Sequence, residues 1–319
     1  MNTLKLIPRI IIILPLIFMA NCNQAQNNNH EIKNQKVMKE KTQQNIQNVL
    51  NNNKINMHSP FYEIEVSTRG CAIDLFVNDI LVFTNYETGS MAVDWPINQW
   101  ILSKEGKQAV KAIVYPFDGQ EFISTKAEVD LKVFVKDVSL ETMKRHVVLS
   151  FPHITFTNDI QLPVFKTETL YFQAEVPYHF EGWTNSVSLE KEDKNKLLKE
   201  LDEWYNEFYD IFTKQDRSKY IQLTEQRLKE INTSFYLSDE EIEELDYFKN
   251  LPRNLKKVPL DDYELVFYAD GKLVGLRIPH ELSGFKFQLD FKEPEQKGNF
   301  IEMALFHRKK TDAKLSIIR

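Results

Sequence analysis

Cysteine is almost missing from this chain. Only Cys22 and Cys71 occur in 319 residues, so a lattice of disulfides is excluded and a folded body of this size must hold itself together by its core. Positive charge is short as well: 40 Lys and Arg against 46 Asp and Glu leave a net charge of -6, with a pI near 5.8. The basic residues gather only in the run His307 to Lys310, which reads as a hairpin turn, and nucleic acid is therefore not expected as a partner. No apolar stretch reaches the roughly 20 residues that a bilayer-spanning helix needs. The signatures of catalysis are absent too: there is no H-E-x-x-H, C-x-x-C, nucleophile elbow, P-loop or G-x-G-x-x-G. His146 and His153, seven residues apart, would face opposite sides of one continuous strand and could not share an ion. No metal, cofactor or catalytic residue is assigned.

What is present starts with Lys5 and Arg9 ahead of an apolar run, Ile10 to Ala20, of the length of a secretory signal's hydrophobic region. Pro15 within it weakens a long helix. The run closes on Met19, Ala20, Asn21 and Cys22. This start resembles a bacterial lipoprotein precursor, whose lipobox places an aliphatic residue near the third position before an acceptor cysteine, with small residues between. The resemblance covers about the first 22 residues. It implies that residues 1–21 are a signal peptide and that Cys22 becomes the first mature residue. Its sulfur would carry diacylglycerol and its amine a fatty acyl chain such as palmitate. A cell-envelope location follows, with the outer membrane favoured because Asn23 is not the aspartate that marks inner-membrane retention. Each buried methylene contributes about 0.8 kcal/mol and two or more chains hold stably, so such an anchor is effectively permanent.

From Asn23 to His58, 17 of 36 residues are Asn or Gln, and none is aromatic, Gly or Pro. A segment of that composition buries too little apolar surface to offset the entropy of ordering it. Residues 22–58 are expected to form a lipidated cysteine and a disordered tether spanning about 30 Å.

The rest divides by period. Phe61–Val66, Ala72–Val77, Ile80–Phe83, Ala109–Tyr115, Glu128–Val135, His146–Phe151 and Thr169–Val176 alternate apolar and polar residues. Asn78-Asp79 suits a tight hairpin, and Val129, Leu131, Val133 and Val135 should share the core face. Cys71 reads as a small buried hydrophobe. An N-terminal antiparallel β-sandwich over residues 59–186 is expected. Helical spacing follows, in Leu197, Leu201, Trp204, Phe208 and Ile211, then in Tyr220, Leu223, Arg227, Leu228, Ile231 and Phe235 with one polar interruption. Ser238 and Glu241 form a capping box. Tyr263 to Ile278 reads as a hairpin with Asp270-Gly271 at a two-residue turn, and further strands follow to Ile318. The expected class is mainly β plus α+β, with residues 187–319 a second domain of helices packed on a curved antiparallel sheet. In element order alone this domain is similar to the nuclear transport factor two superfamily, whose helices and sheet enclose a pocket. That similarity implies a fold and transfers no residue.

One stretch suggests binding. Asn85 to Leu102 reads as a long segment between strands and holds Tyr86, Trp95, Asn98 and Trp100. Indole faces pack on the C–H edges of a sugar while amides bond its hydroxyls; equally, the tryptophans can plug the end of the sandwich. The sequence therefore favours a lipid-anchored, non-enzymatic envelope protein with a protein or glycan partner. The alternatives are a periplasmic immunity-type protein, or an envelope hydrolase using carboxylates in a C-terminal pocket.

Overall fold

The computed structural model describes residues 57–157, 161–245, 248, 255–290 and 297–319. Cys22, the signal region and residues 23–56 lie outside them.

The first part of the described chain is built of strands: β1 (Pro60–Arg69), β2 (Ala72–Val77), β3 (Ile80–Asn85), β4 (Ser90–Pro96), β5 (Glu105–Tyr115), β6 (Glu128–Asp137), β7 (His146–Ser150), β8 (Ile154–Thr155), β9 (Phe165–Lys166) and β10 (Leu170–Glu175). They form two antiparallel sheets. One runs β4-β1-β6-β7 with β8 also on β6, and the other runs β10-β5-β2-β3 with β9 also on β5.

Period two decides which side chains are covered. Along β6, Val129, Leu131, Val133 and Val135 are buried while the residues between them stay half-exposed. The register sets Ile64 opposite Val133 and Val66 opposite Leu131. These residues share one apolar cluster with Ile73, Leu75 and Val77 of β2 and with Val110, Ala112 and Val114 of β5. Each such side chain contributes about 1.5–3 kcal/mol by leaving water. Cys71 joins them, its thiol pushed up to about 11 by burial. Asn78 and Asp79, at φ 51° and 63°, make the tight β2–β3 turn that their tolerance of positive φ allows.

The segment Asn85 to Leu102 is not the long connection it resembles. Its centre is β4, paired over all of its 7 residues with β1, and Asn98–Trp100 form a 3₁₀ turn. Met91, Val93 and Trp95 pack against the apolar cluster. Exposed Ala92 and Asp94 between them interrupt the apolar signal and disguise an edge strand.

Helices α1 (Lys194–Lys214), α2 (Arg217–Ser234) and α3 (Asp239–Glu244) follow. Asp193 caps α1 by accepting the Asn195 amide at 2.8 Å. Leu197, Leu201, Tyr205, Phe208, Ile211 and Phe212 form the buried face of α1. The later strands are β11 (Leu255–Lys257), β12 (Glu264–Tyr268), β13 (Leu273–Arg277), β14 (Gly284–Asp290), β15 (Lys297–Met303), β16 (Phe306–His307) and β17 (Ser316–Ile317). They divide between two antiparallel sheets, β11-β14-β15 and β12-β13-β16-β17, where one sheet was expected. The chain passes from one sheet to the other at Ala304-Leu305, between β15 and β16.

The β12–β13 turn also differs from expectation. Tyr268 pairs with Leu273, so four residues close the hairpin. Ala269 joins Asp270 and Gly271 at positive φ, and Leu189 donates its amide to the Gly271 carbonyl at 2.8 Å, holding the wider loop against the segment before α1.

Aromatic rings fill the space between α1 and the later strands. Tyr205 stacks on Phe285 at 5.0 Å, Phe212 meets Phe287 edge-on at 5.4 Å, and Trp204 packs on Phe306 at 5.2 Å. Tyr268, Leu273, Leu305 and Ile318 leave this group and pack in the apolar cluster of the early sheets. Among the described residues the molecule is thus mainly β, with four antiparallel sheets and three α-helices.

Candidate functional site

The four residues singled out between Asn85 and Leu102 have different surroundings. Asn98 is fully buried and saturated. Its Oδ1 accepts the Tyr62 amide at 2.6 Å, its Nδ2 donates to the carbonyls of Pro60 at 3.0 Å and Ser234 at 2.9 Å, and its carbonyl accepts the Tyr178 hydroxyl at 3.0 Å. It ties the start of β1 to the end of α2. Trp100 is buried with its ring 6.3 Å from Trp183, and Trp95 is half-buried against Phe83 at 5.1 Å. Tyr86 goes elsewhere, to a cluster of polar and aromatic side chains where the second early sheet meets the end of β13.

That cluster, the Asp74 crevice below, is assembled from residues far apart in sequence. Asp74 is an outward-facing position of β2, between inward Ile73 and Leu75, yet it is only 1% exposed. Arg277, at the end of β13, donates from Nη2 to Asp74 Oδ2 at 3.3 Å. Tyr86 and Tyr115 lie 5.8 Å apart by ring centroids. The His280 imidazole rests on Tyr86 at 4.0 Å. His280 holds φ at 70°, unusual for a residue other than Gly, and Thr84 Oγ1 donates to its carbonyl at 3.0 Å. Three buried polar atoms here have no hydrogen-bond partner among the described residues: Asp74 Oδ1, Arg277 Nε and His280 Nδ1.

Electrostatics follow from that enclosure. Burial raises the Asp74 carboxyl, with Arg277 and Tyr86 opposing. Burial lowers His280, with Asp118 and Asp74 opposing, so its ring is neutral at pH 7. Burial and the Asp74 charge push Tyr115 up to about 12, and the same two causes raise Tyr86 further, so both phenols keep their protons. An acceptor, a donor, a neutral imidazole and two protonated phenols suit hydrogen bonding to a polar ligand. A phenol held protonated by its surroundings is a poor nucleophile.

A second group of buried charges surrounds α2. Arg319 donates to Glu230 Oε2 at 2.7 Å and to the Gln99 carbonyl at 3.0 Å, its guanidinium 5.1 Å from the Trp183 ring centre. Arg227 pairs with Glu302 and donates to the Met303 carbonyl at 2.7 Å. Arg308, taken from sequence as part of a basic turn, is 1% exposed and bonds Glu192 and Glu200. His307 beside it is equally buried, its Nδ1 2.7 Å from Ser186 Oγ, and burial takes its pKa down to about 4. Only Lys309 and Lys310 of that run are exposed. Each cation here meets a carboxylate or a backbone carbonyl, which is the pattern of a structural clamp, although Arg319 Nη2 and His307 Nε2 have no hydrogen-bond partner among the described residues.

An open groove of about 400 Å³ crosses the end of β1, β4 and β6, lined by Ser67, Arg69, Ser90, Met91, Glu128 and Asp130 among others. Its ion pairs, Arg69 with Glu128 and Asp130 with His153, are exposed and carry little energy. None of the unpartnered buried atoms lines it. Of the residues gathered in the Asp74 crevice, Tyr86 was singled out from the sequence and Asp74, Tyr115, Arg277 and His280 were not. The one available signal was Asp74, a carboxylate inside the apolar run "AIDLFV". No family model, curated protein or solved structure matches the chain.

Proposed function

We propose that the chain is a lipid-anchored protein of the bacterial cell envelope whose body binds a protein or glycan partner and carries out no reaction of its own. The observation that carries this reading is the order of segments at the start: Lys5 and Arg9, the apolar run, Cys22, then the Asn- and Gln-rich stretch. Acylated Cys22 moors the chain to membrane lipid, with the outer membrane the favoured site, and residues 23–58 hold the body clear of it. The two early sheets form a β-sandwich domain, residues 59–186; the inward residues they share in one cluster support this. Residues 187–319 form the second domain, with helices packed over the later strands. Its ring-filled interior supports recognition at the surface over chemistry in an enclosed chamber.

The test is the state of the mature N-terminus. Mass spectrometry of the purified chain is expected to find a first residue at Cys22 carrying diacylglycerol and an N-linked acyl chain, and the protein should enter solution only with detergent. A mature chain that begins elsewhere, or that washes off in buffer alone, overturns the anchor. The binding half is tested by crosslinking in envelope fractions, where recovery of the chain with no envelope component attached counts against it.

A further inference from the structure

We infer that the Asp74 crevice is a recognition site for a neutral, hydroxyl-bearing ligand, a sugar unit in the envelope setting proposed above. The choice of a sugar rests on that envelope-binding reading; the hydroxyl chemistry rests on the crevice itself. The large majority of buried side-chain polar atoms in folded proteins find a hydrogen-bond partner, and here three unmatched atoms, contributed by β2, by β13 and by the turn after β13, belong to side chains in one cluster. Their chemistry specifies what completes it. With Asp74 paired to Arg277, Asp74 Oδ1 offers an acceptor and Arg277 Nε can only donate, while His280 Nδ1 takes either role according to tautomer. A hydroxyl donates once and accepts as well, and therefore answers both Asp74 and Arg277. The ligand is neutral because an anion would face Asp74 and a cation would face Arg277, whose own charges compensate each other across 3.3 Å.

The walls fit the same class. Tyr86, Tyr115 and His280 are each half-buried, so each keeps some exposed surface beside the cluster, and aromatic faces pack on the C–H edges of pyranose rings. Entry requires the imidazole to swing off Tyr86, and the Thr84 hydroxyl bond to the His280 carbonyl is not part of that movement. A buried water can satisfy the same atoms in the absence of ligand, and a sugar hydroxyl would take its place.

The probes are glucose and N-acetylglucosamine at millimolar concentration, with the whole mature protein observed by saturation-transfer NMR. Transfer to sugar ring protons is expected. It should weaken at least tenfold in Tyr86→Ala and in His280→Ala, and vanish in Asp74→Asn, while Tyr171→Ala on β10 leaves it unchanged. Asp74→Asn strands Arg277 and can cost the fold, so its melting curve is recorded first; the two half-exposed ring positions keep the test decisive if it unfolds. Absence of transfer from both sugars, or transfer equal in every variant, overturns the site. If crosslinking recovers an envelope protein while neither sugar binds, the crevice inference fails and the anchored-binding reading stands. If His280-dependent transfer appears in a chain that proves not to be acylated, the crevice stands and the anchor fails.

Discussion

Along β6 the inward residues are Val129, Leu131, Val133 and Val135, and each is met by another apolar side chain. Along α2 the buried residues are Tyr220, Thr224, Arg227, Glu230 and Ser234. The two elements are covered to a similar degree with opposite chemistry, and their places in the fold explain why. Strand β6 lies inside a sheet whose ladders satisfy its backbone, so its side chains need only exclude water. Helix α2 lies where ladders stop. The carbonyls of Pro60, Gln99 and Met303 come free there, at the start of β1, in the 3₁₀ turn and at the end of β15. Asn98, Arg319 and Arg227 supply the missing donors. Where regular pairing ends, buried side chains take over its work, and their own charges then require Glu230 and Glu302 as partners.

The largest test of that contrast is Arg319→Met. It leaves the Glu230 carboxylate inside the protein without its cation and the Gln99 carbonyl without its donor, and breaking a buried pair in this way costs about 3–5 kcal/mol. Urea unfolding should show the midpoint falling with little change in slope. Adding Glu230→Gln should recover more than half of the loss, since the stranded charge is removed; no recovery would mean that Arg319 acts mainly by packing on Trp183. Next comes Leu131→Ala on the apolar side, expected to cost about 2–5 kcal/mol through lost transfer energy and the cavity left behind. Its cost should be the same at pH 5 and pH 7, because its register partner is Val66 and the buried titratable members of its cluster are tyrosines and Cys71, all pushed up by burial, Tyr62 to about 12 and Cys71 to about 11. A pH-dependent loss at that position would erase the distinction between the two regions.

His307 gives a smaller, titratable effect. Its folded pKa is taken down to about 4 by burial against an ordinary value of 6.5, so the unfolded chain binds the proton first as pH falls. The stability that depends on neutral His307 is complete above pH 6.5 and is lost as pH falls toward about 4. Comparing wild type with His307→Gln between pH 7 and pH 4.5 isolates this contribution from that of the carboxylates. The wild type should lose more stability than the variant over that interval, and equal losses would place the acid sensitivity elsewhere.

These two regions also differ in how far they could be read in advance. Period two marks its own faces, so the inward residues of β6 and the Asn78-Asp79 turn were legible from the residues alone. The helical stripe of α2 was legible as a helix and in part as a face: Tyr220 and Arg227 are buried as expected, and Leu223 and Leu228 pack against the apolar cluster. Thr224 and Glu230 are buried more deeply than neighbouring Leu223 and Ile231, one residue or about 100° away: Thr224 bonds the Tyr220 carbonyl of its own helix, and Glu230 meets Arg319. His307 and Arg308 looked like a charged turn because Glu192 and Glu200, which neutralise Arg308, stand more than a hundred residues earlier. The Asp74 crevice was hidden for the same reason: Arg277 is 203 residues from its partner. Local pattern reveals what the backbone needs, whereas side-chain pairing across distant segments leaves no local trace.

The smallest expected effect is at Ser238, and it sharpens the comparison from the opposite end, because α3 has neither an apolar face nor a buried charge. None of its 6 residues is buried. What defines its start is the capping box: Ser238 Oγ accepts the Glu241 amide at 3.2 Å and Glu241 Oε2 accepts the Ser238 amide at 2.9 Å. Asp239 and Glu240 add favourable charge at the positive end of the helix dipole. Ser238→Ala should cost about 1 kcal/mol, and with no packing to hold the turn the loss should stay local. Hydrogen exchange at residues 241–245 should accelerate several-fold while the amides of β1 and β6 keep their protection. Faster exchange in those strands as well would mean that α3 is coupled to the cores, and that its exposed surface conceals a structural role that the hydrogen-bond pattern does not account for.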